Sequence, residues 1–132
     1  MAREFKPTGY NSVSPYFIVN GARKFVDLLK ELFNAVEKRR YDMPDGTIMH
    51  VEIQIDDSIL MIGDASSQFP ANTHLMHVYV PHVDETFDRA IRSGCESVEP
   101  PKERDGDPDR RGTFKDFAGN IWSVATPTTL AT

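Results

Sequence analysis

The first half of the chain shows apolar positions in the order strand, helix and three strands. Apolar residues three and four positions apart predict a helix, which Asn20 caps at its start and Asn34 closes at its end. Apolar and polar residues alternate on both sides of this helix, and Pro44-Asp45-Gly46 has the composition of a turn. The four predicted strands are 13–19, 35–43, 47–55 and 58–63.

The second half repeats this order. A helix is predicted over 83–93 and stops at Gly94. Its apolar face is predicted to consist of Val83, Phe87, Ala90 and Ile91. The strands predicted around it are 74–80, a run that ends at Pro100-Pro101, 111–116 and 120–126.

An internal repeat follows from this order: aligning the halves pairs Ser14 with Leu75 and Met61 with Ser123. We therefore predict an α+β fold with two βαβββ modules in tandem, in which curved mixed sheets enclose a cleft and the helices lie outside. The predicted divisions are an N-terminal extension over 1–12, one domain over 13–127 with modules 13–65 and 73–127, and a C-terminal tail over 128–132.

Alternation along the strands sorts their side chains onto two faces. Met49, Val51 and Ile53 form one apolar face that suits packing under a helix. The opposite faces of the strands are predicted to line the cleft, and they carry His50, Glu52, Gln54, Met61, Leu75, His77, Tyr79 and Ser123. A solvent-exposed antiparallel face shows the same alternation, so for Glu52 and Gln54 both interpretations stay open.

Composition narrows the class of partner. The chain has 132 residues, a net charge of −5 and interspersed acidic and basic residues, which argues against a nucleic-acid or membrane partner. Its one cysteine, Cys95, excludes an internal disulfide and fits a reducing compartment. Residues 1–12 lack the apolar core of a signal peptide, so a cytoplasmic location is expected.

Four segments resemble the glyoxalase/bleomycin-resistance (vicinal oxygen chelate) superfamily, especially its branch described as 3-demethylubiquinone-methyltransferase-like. The last of them ends in DFAGNIWSVAT, which is similar to the Asp-Pro-Phe-Gly-Asn-x-Trp ending of that superfamily, with Phe117-Ala118 where Pro-Phe is usual. The segments are SPYFIVNGARKFVDLLKELFNAVE (14–37), PDGTIMHVEIQIDDSILMIGDA (44–65), LMHVYVPHVDETFDRAIRSG (75–94) and RRGTFKDFAGNIWSVAT (110–126).

The resemblance implies a fold and a place for a metal ion. Metal-dependent members hold a divalent ion with side chains that correspond here to Ser14, Met61, Leu75 and Ser123. None of these is a good ligand for such an ion, so we expect no cofactor and no metal at the usual site. A displaced site built from His50, Glu52 and His77 is a less favoured alternative.

Three functions remain. The favoured one is binding of an apolar or aromatic small molecule, including sequestration of an antibiotic-like ligand, with Arg111, His50 and His77 orienting it. Its apolar wall would consist of Met61, Leu75, Tyr79, Ile59 and Phe114. The alternative is a metal-independent lyase or isomerase with His50 or His77 as general base and Arg110 or Arg111 holding a substrate anion. The third is a structural or regulatory dimer without a ligand; a homodimer is expected by resemblance in every case.

Overall fold

The computed structural model describes residues 4–128. The first three residues of the predicted N-terminal extension and residues 129–132 of the predicted tail lie outside this range. The elements, in chain order, are β1 (Tyr16–Val19), α1 (Ala22–Phe33), β2 (Val36–Asp42), β3 (Ile48–Ile55), β4 (Ser58–Asp64), β5 (Leu75–Tyr79), α2 (Val83–Arg92), β6 (Glu96–Lys102), β7 (Asp109–Lys115) and β8 (Ile121–Pro127). Strand, helix and three strands therefore occur twice, and the predicted α+β tandem of βαβββ modules is confirmed.

The strands form two open mixed sheets of four strands, in the orders β1-β4-β3-β2 and β5-β8-β7-β6. In each sheet the first strand of the module runs parallel to the last one, and the remaining pairs are antiparallel. The chain divides into two compact units. The first contains residues up to Lys30 together with Asn34–Asn72, and the second contains Glu31–Phe33 together with residues from Thr73 onward.

Helix α1 packs an apolar face whose residues include Phe25, and the ring of Phe25 lies 5.3 Å from that of Phe17 on β1. Asn34 ends the helix in the left-handed conformation, as predicted. The predicted cap Asn20 was wrong, because Gly21 occupies that position with φ 93° and makes no side-chain bond. The carboxylate of Asp64, at the end of β4, instead accepts hydrogen bonds from the first amides of the helix.

Helix α2 buries Val83, Phe87 and Ala90. Ile91, which was predicted to share this face, is 37% exposed, and Thr86 is buried in its place. Each step along a helix turns by about 100°, so the residue after Ala90 already points away from the sheet.

The apolar alternation on β3 breaks at one position. Met49 was predicted to pack under a helix, but it is 54% exposed, whereas Ile48, Val51 and Ile53 are buried. The pairing of β2 with β3 shifts between Tyr41 and Asp42, so Met49 has no partner on β2. A bulge of this kind redirects the side chain of the extra residue.

The DFAGN segment forms a buried polar turn between β7 and β8. Oδ1 of Asp116 accepts hydrogen bonds from the amides of Ala118 and Asn120, and Oδ2 accepts one from Nε1 of Trp122 at 2.8 Å. Asn120 is fully buried and its Oδ1 accepts the amide of His74, just before β5. The motif residues that carry the resemblance therefore stabilise the second sheet.

Within residues 4–128, no helix is long and apolar enough to cross a membrane.

Candidate functional site

A cleft of about 850 Å³ lies within the first unit. It is lined by β1, the turn between β2 and β3, the beginning of β3, the end of β4 and the segment after β4. The turn and the segment after β4 add walls that the strands alone lack.

The wall of this cleft is largely apolar. Met43, Met49 and Phe69 line it and are 43%, 54% and 59% exposed, respectively. The bulge on β3 exposes Met49, and Gly63 opposite it has no room for a larger side chain, because a Cβ there would lie 2.8 Å from the Met49 carbonyl oxygen. Methionine side chains adapt to ligands of irregular shape, and an exposed phenyl ring offers a stacking surface.

A chain of hydrogen bonds meets one side of the cleft. The hydroxyl of Tyr16 on β1 lies 2.7 Å from Nδ1 of His50 on β3, and Nε2 of His50 lies 2.8 Å from Oε2 of Glu52. Tyr16 and His50 both line the cleft. Strand pairing explains the arrangement, since Met61 of β4 pairs with Tyr16 on one side and with Glu52 on the other.

Glu52 is only 5% exposed, and its carboxylate has three side-chain partners: His50, Tyr10 and Arg39. The hydroxyl of Tyr10 donates to its Oε1 at 2.5 Å, and Nε of Arg39 lies 3.5 Å from the same oxygen. The guanidinium of Arg39 also lies over the Tyr10 ring, 5.0 Å from its centre. Tyr10, a residue of the predicted extension, therefore contributes directly to the environment of Glu52.

These contacts keep Glu52 ionised. Burial by itself raises the pKa of the Glu52 carboxyl, but the hydrogen bonds from Tyr10 and His50 lower it. With the charge of Arg39 they hold this pKa below the usual value of a glutamate. The hydrogen bond to Glu52 in turn raises the pKa of Tyr10, because the neutral phenol is the donor.

An ionised Glu52 decides which nitrogen of His50 carries the proton. A carboxylate only accepts hydrogen bonds, so Nε2 of His50 must be the donor in that contact. In the neutral ring Nδ1 is then an acceptor, and the Tyr16 hydroxyl donates to it. Burial raises the pKa of Tyr16, and the negative charge of Glu52 raises it further, so Tyr16 keeps its proton. A carboxylate, an imidazole and a hydroxyl in this order can move a proton at the cleft wall.

Three other predicted residues of the first unit lie apart from this chain of bonds. Nε2 of Gln54 donates to the carbonyl oxygen of Asp56 at 2.7 Å, so this amide stabilises the turn after β3. Met61 lines a separate groove of about 310 Å³ beside Tyr10 and Glu52. Ile59, predicted for the apolar wall, is 1% exposed and lines neither space.

The second unit places four of its predicted residues on one face of its sheet: Leu75, His77, Tyr79 and Ser123. His77 pairs with Ser123, Leu75 with Ile121 and Tyr79 with Ala125. Leu75 and Tyr79 are 75% and 61% exposed, and the ring of His77 packs edge-on against Tyr79 at 4.8 Å.

Three polar side chains of the second unit already have partners. The hydroxyl of Tyr79 donates to Asp109 at 2.9 Å, and the guanidinium of Arg111 is paired with Asp107. Arg110 is likewise paired with Asp84. The prediction that Phe114 belongs to the apolar wall was wrong, because its ring is fully buried.

The residues at the superfamily's metal positions do not fit a divalent ion. Ser14 and Ser123 offer neutral hydroxyls, Met61 a thioether and Leu75 no donor atom. In the described part of the chain, no group of three or more histidine, cysteine, aspartate or glutamate side chains is arranged to hold a metal ion. The displaced set of His50, Glu52 and His77 stays a prediction, because His50 and Glu52 belong to the first unit and His77 belongs to the second.

Sequence reasoning missed Tyr16, Tyr10 and Arg39. For Tyr16 a signal existed: it lies two residues after Ser14, as His77 lies two residues after Leu75, and these positions correspond in the repeat. No comparable signal identified Tyr10, which lies 42 residues from Glu52 in the chain.

No protein-family model matches the chain. Among curated proteins it is similar to an uncharacterized protein of Mycobacterium bovis, with 28% identity covering 88% of this chain and 83% of that protein. A similar protein of Mycobacterium tuberculosis is also 28% identical, over 88% of this chain and 74% of that protein.

Solved structures show the fold more clearly. TioX from Micromonospora matches with a TM-score of 0.70 and 21% identity, covering 92% of this chain and all of that one. The fosfomycin resistance protein FosX from Listeria monocytogenes matches with a TM-score of 0.65 and 19% identity, over 89% of this chain and 93% of that one. A putative 3-demethylubiquinone-9 3-methyltransferase from Bacillus cereus matches with a TM-score of 0.65 and 13% identity, over 88% and 99%. All three are members of the glyoxalase/bleomycin-resistance superfamily, and the chain has the fold of that superfamily.

Proposed function

We propose that this protein binds an apolar or aromatic small molecule in the cleft of its first unit. The observation that carries the proposal is the meeting of an apolar wall, with Met49 and Phe69, and the hydrogen-bonded pair of His50 and Tyr16 in one cleft. Binding sites for small molecules combine these two features: apolar surface supplies affinity, and a few polar groups orient the ligand.

The size of the cleft and the fold support this proposal. A volume of about 850 Å³ lies within the range of roughly 300–1,000 Å³ found for small-molecule sites. One protein with the same fold is described as a fosfomycin resistance protein. Sequestration of an antibiotic-like molecule is therefore one form that the proposed binding takes.

A thermal-shift screen of aromatic compounds, followed by titration calorimetry, tests the proposal. Phe69→Ala removes part of the apolar wall, and we expect affinity for any ligand found to fall about fivefold to tenfold. Val98→Ala is the matched control, because Val98 is similarly exposed, at 55% against 59% for Phe69, but lies on β6 in the second unit. Equal affinities of the two variants would place the ligand elsewhere.

The chain from Glu52 through His50 to Tyr16 favours a second candidate function, metal-independent acid–base catalysis. The Glu52 carboxylate holds the ring of His50, whose Nδ1 faces the Tyr16 hydroxyl at the cleft wall. Proton abstraction beside a carbonyl group, as in an isomerase or lyase, needs this type of base. For the second unit we propose the predicted roles of His77 as an orienting group or general base and of Arg111 as an orienting or anion-holding group. Arg111 is already paired there with Asp107.

Exchange of carbon-bound hydrogen for deuterium tests this candidate without knowledge of the product. A panel of ketones and aldehydes is incubated with the protein in D₂O and followed by proton NMR. We expect any exchange that the protein accelerates to be lost in His50→Gln and retained in His82→Gln, since His82 is exposed at the start of α2. Unchanged exchange in His50→Gln would exclude His50 as the base.

We also propose that the protein is a homodimer, as the superfamily resemblance implies. The support from the structure is the exposed face of β5, where Leu75 and Tyr79 leave much apolar surface in contact with water. Analytical ultracentrifugation tests it: Leu75→Glu should weaken the dimer, whereas Val98→Glu should not. A wild-type monomer at micromolar concentration would contradict the proposal.

A further inference from the structure

We propose that the cleft of the first unit selects ligands that carry a protonated amine on an apolar or aromatic body, and discriminates against carboxylates and phosphonates. This inference rests on the proposed binding function and names its ligand class. It follows from the charge and hydrogen-bonding capacity of the cleft lining.

The charged residues of the lining are acidic. Asp45 and Asp64 line the cleft, and no lysine or arginine is among the lining residues within the described range. Arg23 donates to the carbonyl oxygen of Gly46, next to Asp45, but its side chain does not line the cleft. An anionic ligand would therefore meet carboxylates without a cationic partner, and charge complementarity favours a cation.

Asp45 is the carboxylate available to a ligand. Its Oδ1 accepts hydrogen bonds from the amide and hydroxyl of Thr47, at 2.9 and 2.6 Å. Those bonds lower the pKa of Asp45, so the group is ionised at neutral pH. Both bonds from Thr47 end on Oδ1, so neither of them uses Oδ2 of Asp45. Asp64, by contrast, is occupied by the backbone amides of Gly21, Ala22 and Ile48.

The polar groups near the other wall also favour a ligand that donates hydrogen bonds. The proton of the Tyr16 hydroxyl is directed to His50, so the oxygen lone pairs of Tyr16 remain for the ligand. The side chain of Asn72 is occupied on both sides, by the amide of Ile18 and the carbonyl oxygen of Tyr16. An ammonium group supplies the donors that these acceptors lack.

The apolar wall is compatible with such a ligand. The rings of Tyr16 and Phe69 present faces that attract cations, and methionine sulfur is polarizable. An aromatic or aliphatic body can therefore pack on the wall while its ammonium group reaches Asp45.

Three probes of the same shape test the inference: 2-(1-naphthyl)ethylamine, 2-(1-naphthyl)ethanol and 1-naphthaleneacetate. Each is titrated into the full chain, and amide chemical shifts give both the affinity and the location. We expect the amine to bind most tightly, the alcohol less tightly and the carboxylate weakest, with shifts at the amides of Gly46, Thr47 and Met49. Raising the salt concentration should reduce the preference of amine over alcohol, because screening weakens the charge contact.

Asp45→Asn isolates the charge. The amide keeps an oxygen for Thr47, so the turn is retained. Because Asp45 is exposed, we expect affinity for the amine to fall only roughly twofold to fivefold, with affinity for the alcohol unchanged. Asp27→Asn on the exposed side of α1 is the control and should change neither.

The outcomes separate the two proposals. If no probe binds, or shifts occur outside the cleft, the proposed binding function fails. If the alcohol or the carboxylate binds in the cleft as tightly as the amine, or if Asp45→Asn leaves the preference intact, the binding function stands and the selection of amines is overturned.

Discussion

Nε2 of His50 lies 2.8 Å from Oε2 of Glu52, two positions further along the same strand. Side chains two positions apart on a strand point to the same side, so β3 itself brings an imidazole and a carboxylate together. Because Glu52 is buried and ionised, it determines the tautomer of His50, and Nδ1 is directed toward Tyr16 at the cleft wall. The pair therefore joins the interior of the sheet to the candidate binding site.

Glu52→Gln should reverse the tautomer of His50. The glutamine amide keeps an oxygen for Tyr10 but turns its NH₂ group toward His50, where two donors would face each other. We expect the imidazole proton to move from Nε2 to Nδ1. Nitrogen-15 NMR of the histidine ring distinguishes the two tautomers. Gln54→Glu, which changes the next position on the same face of β3, is the control and should leave the ring signals of His50 in place.

Acid should destabilise the fold in part through Glu52. The folded-state pKa of this group lies below the ordinary value of 4.5. The carboxylate therefore contributes its full stability above about pH 4.5, and this contribution disappears as the pH falls through the lower folded-state value. Urea unfolding measured from pH 7 to pH 3 should show a smaller loss of stability for Glu52→Gln than for the wild type. If the stability of the two proteins depends on pH in the same way, the ionised Glu52 carboxylate does not stabilise the fold.

Tyr10→Phe should loosen the segment before β1. The hydroxyl of Tyr10 binds an ionised, buried carboxylate, a contact worth roughly 1.5 kcal/mol or more. Losing it should increase amide hydrogen exchange over residues 4–12 and at Ile59, whose amide is bound by Asn11, by about tenfold.

Tyr79→Phe is the matched control for this change, because it removes a hydroxyl–carboxylate bond to Asp109 in the second unit. It should leave the exchange of the N-terminal segment unaltered. If both variants behave like the wild type there, the Tyr10 contact does not anchor the segment.

Asp116→Ala should destabilise the protein by at least about 3 kcal/mol, because the buried donors of Asn120 and Trp122 and the amide of Ala118 all lose their acceptor. Trp122 is the only tryptophan, so its fluorescence reports the change directly during urea unfolding. Asp57→Ala, an exposed aspartate with one local bond to Ser58, should change stability by less than about 0.5 kcal/mol. Similar effects in both variants would argue against a stabilising role for the DFAGN turn.

The order of elements could be predicted from sequence because it depends on local periodicity. Alternation along 49–54 also placed His50 and Glu52 on one face, which is a property of a single strand. The same argument failed at Met49, since the bulge there arises from the pairing of β2 with β3 and not from either strand alone.

The sequence by itself determined the paired βαβββ fold, the strand that carries His50 and Glu52, and the poor fit of Ser14, Met61, Leu75 and Ser123 to a metal ion. Only the tertiary structure brought Tyr16 to His50 and Tyr10 to Glu52, pairs that are 34 and 42 residues apart in the chain. The physical reason is that such contacts depend on strand order and register, which are decided by packing between distant segments, whereas periodicity reports only which way each residue points within its own element.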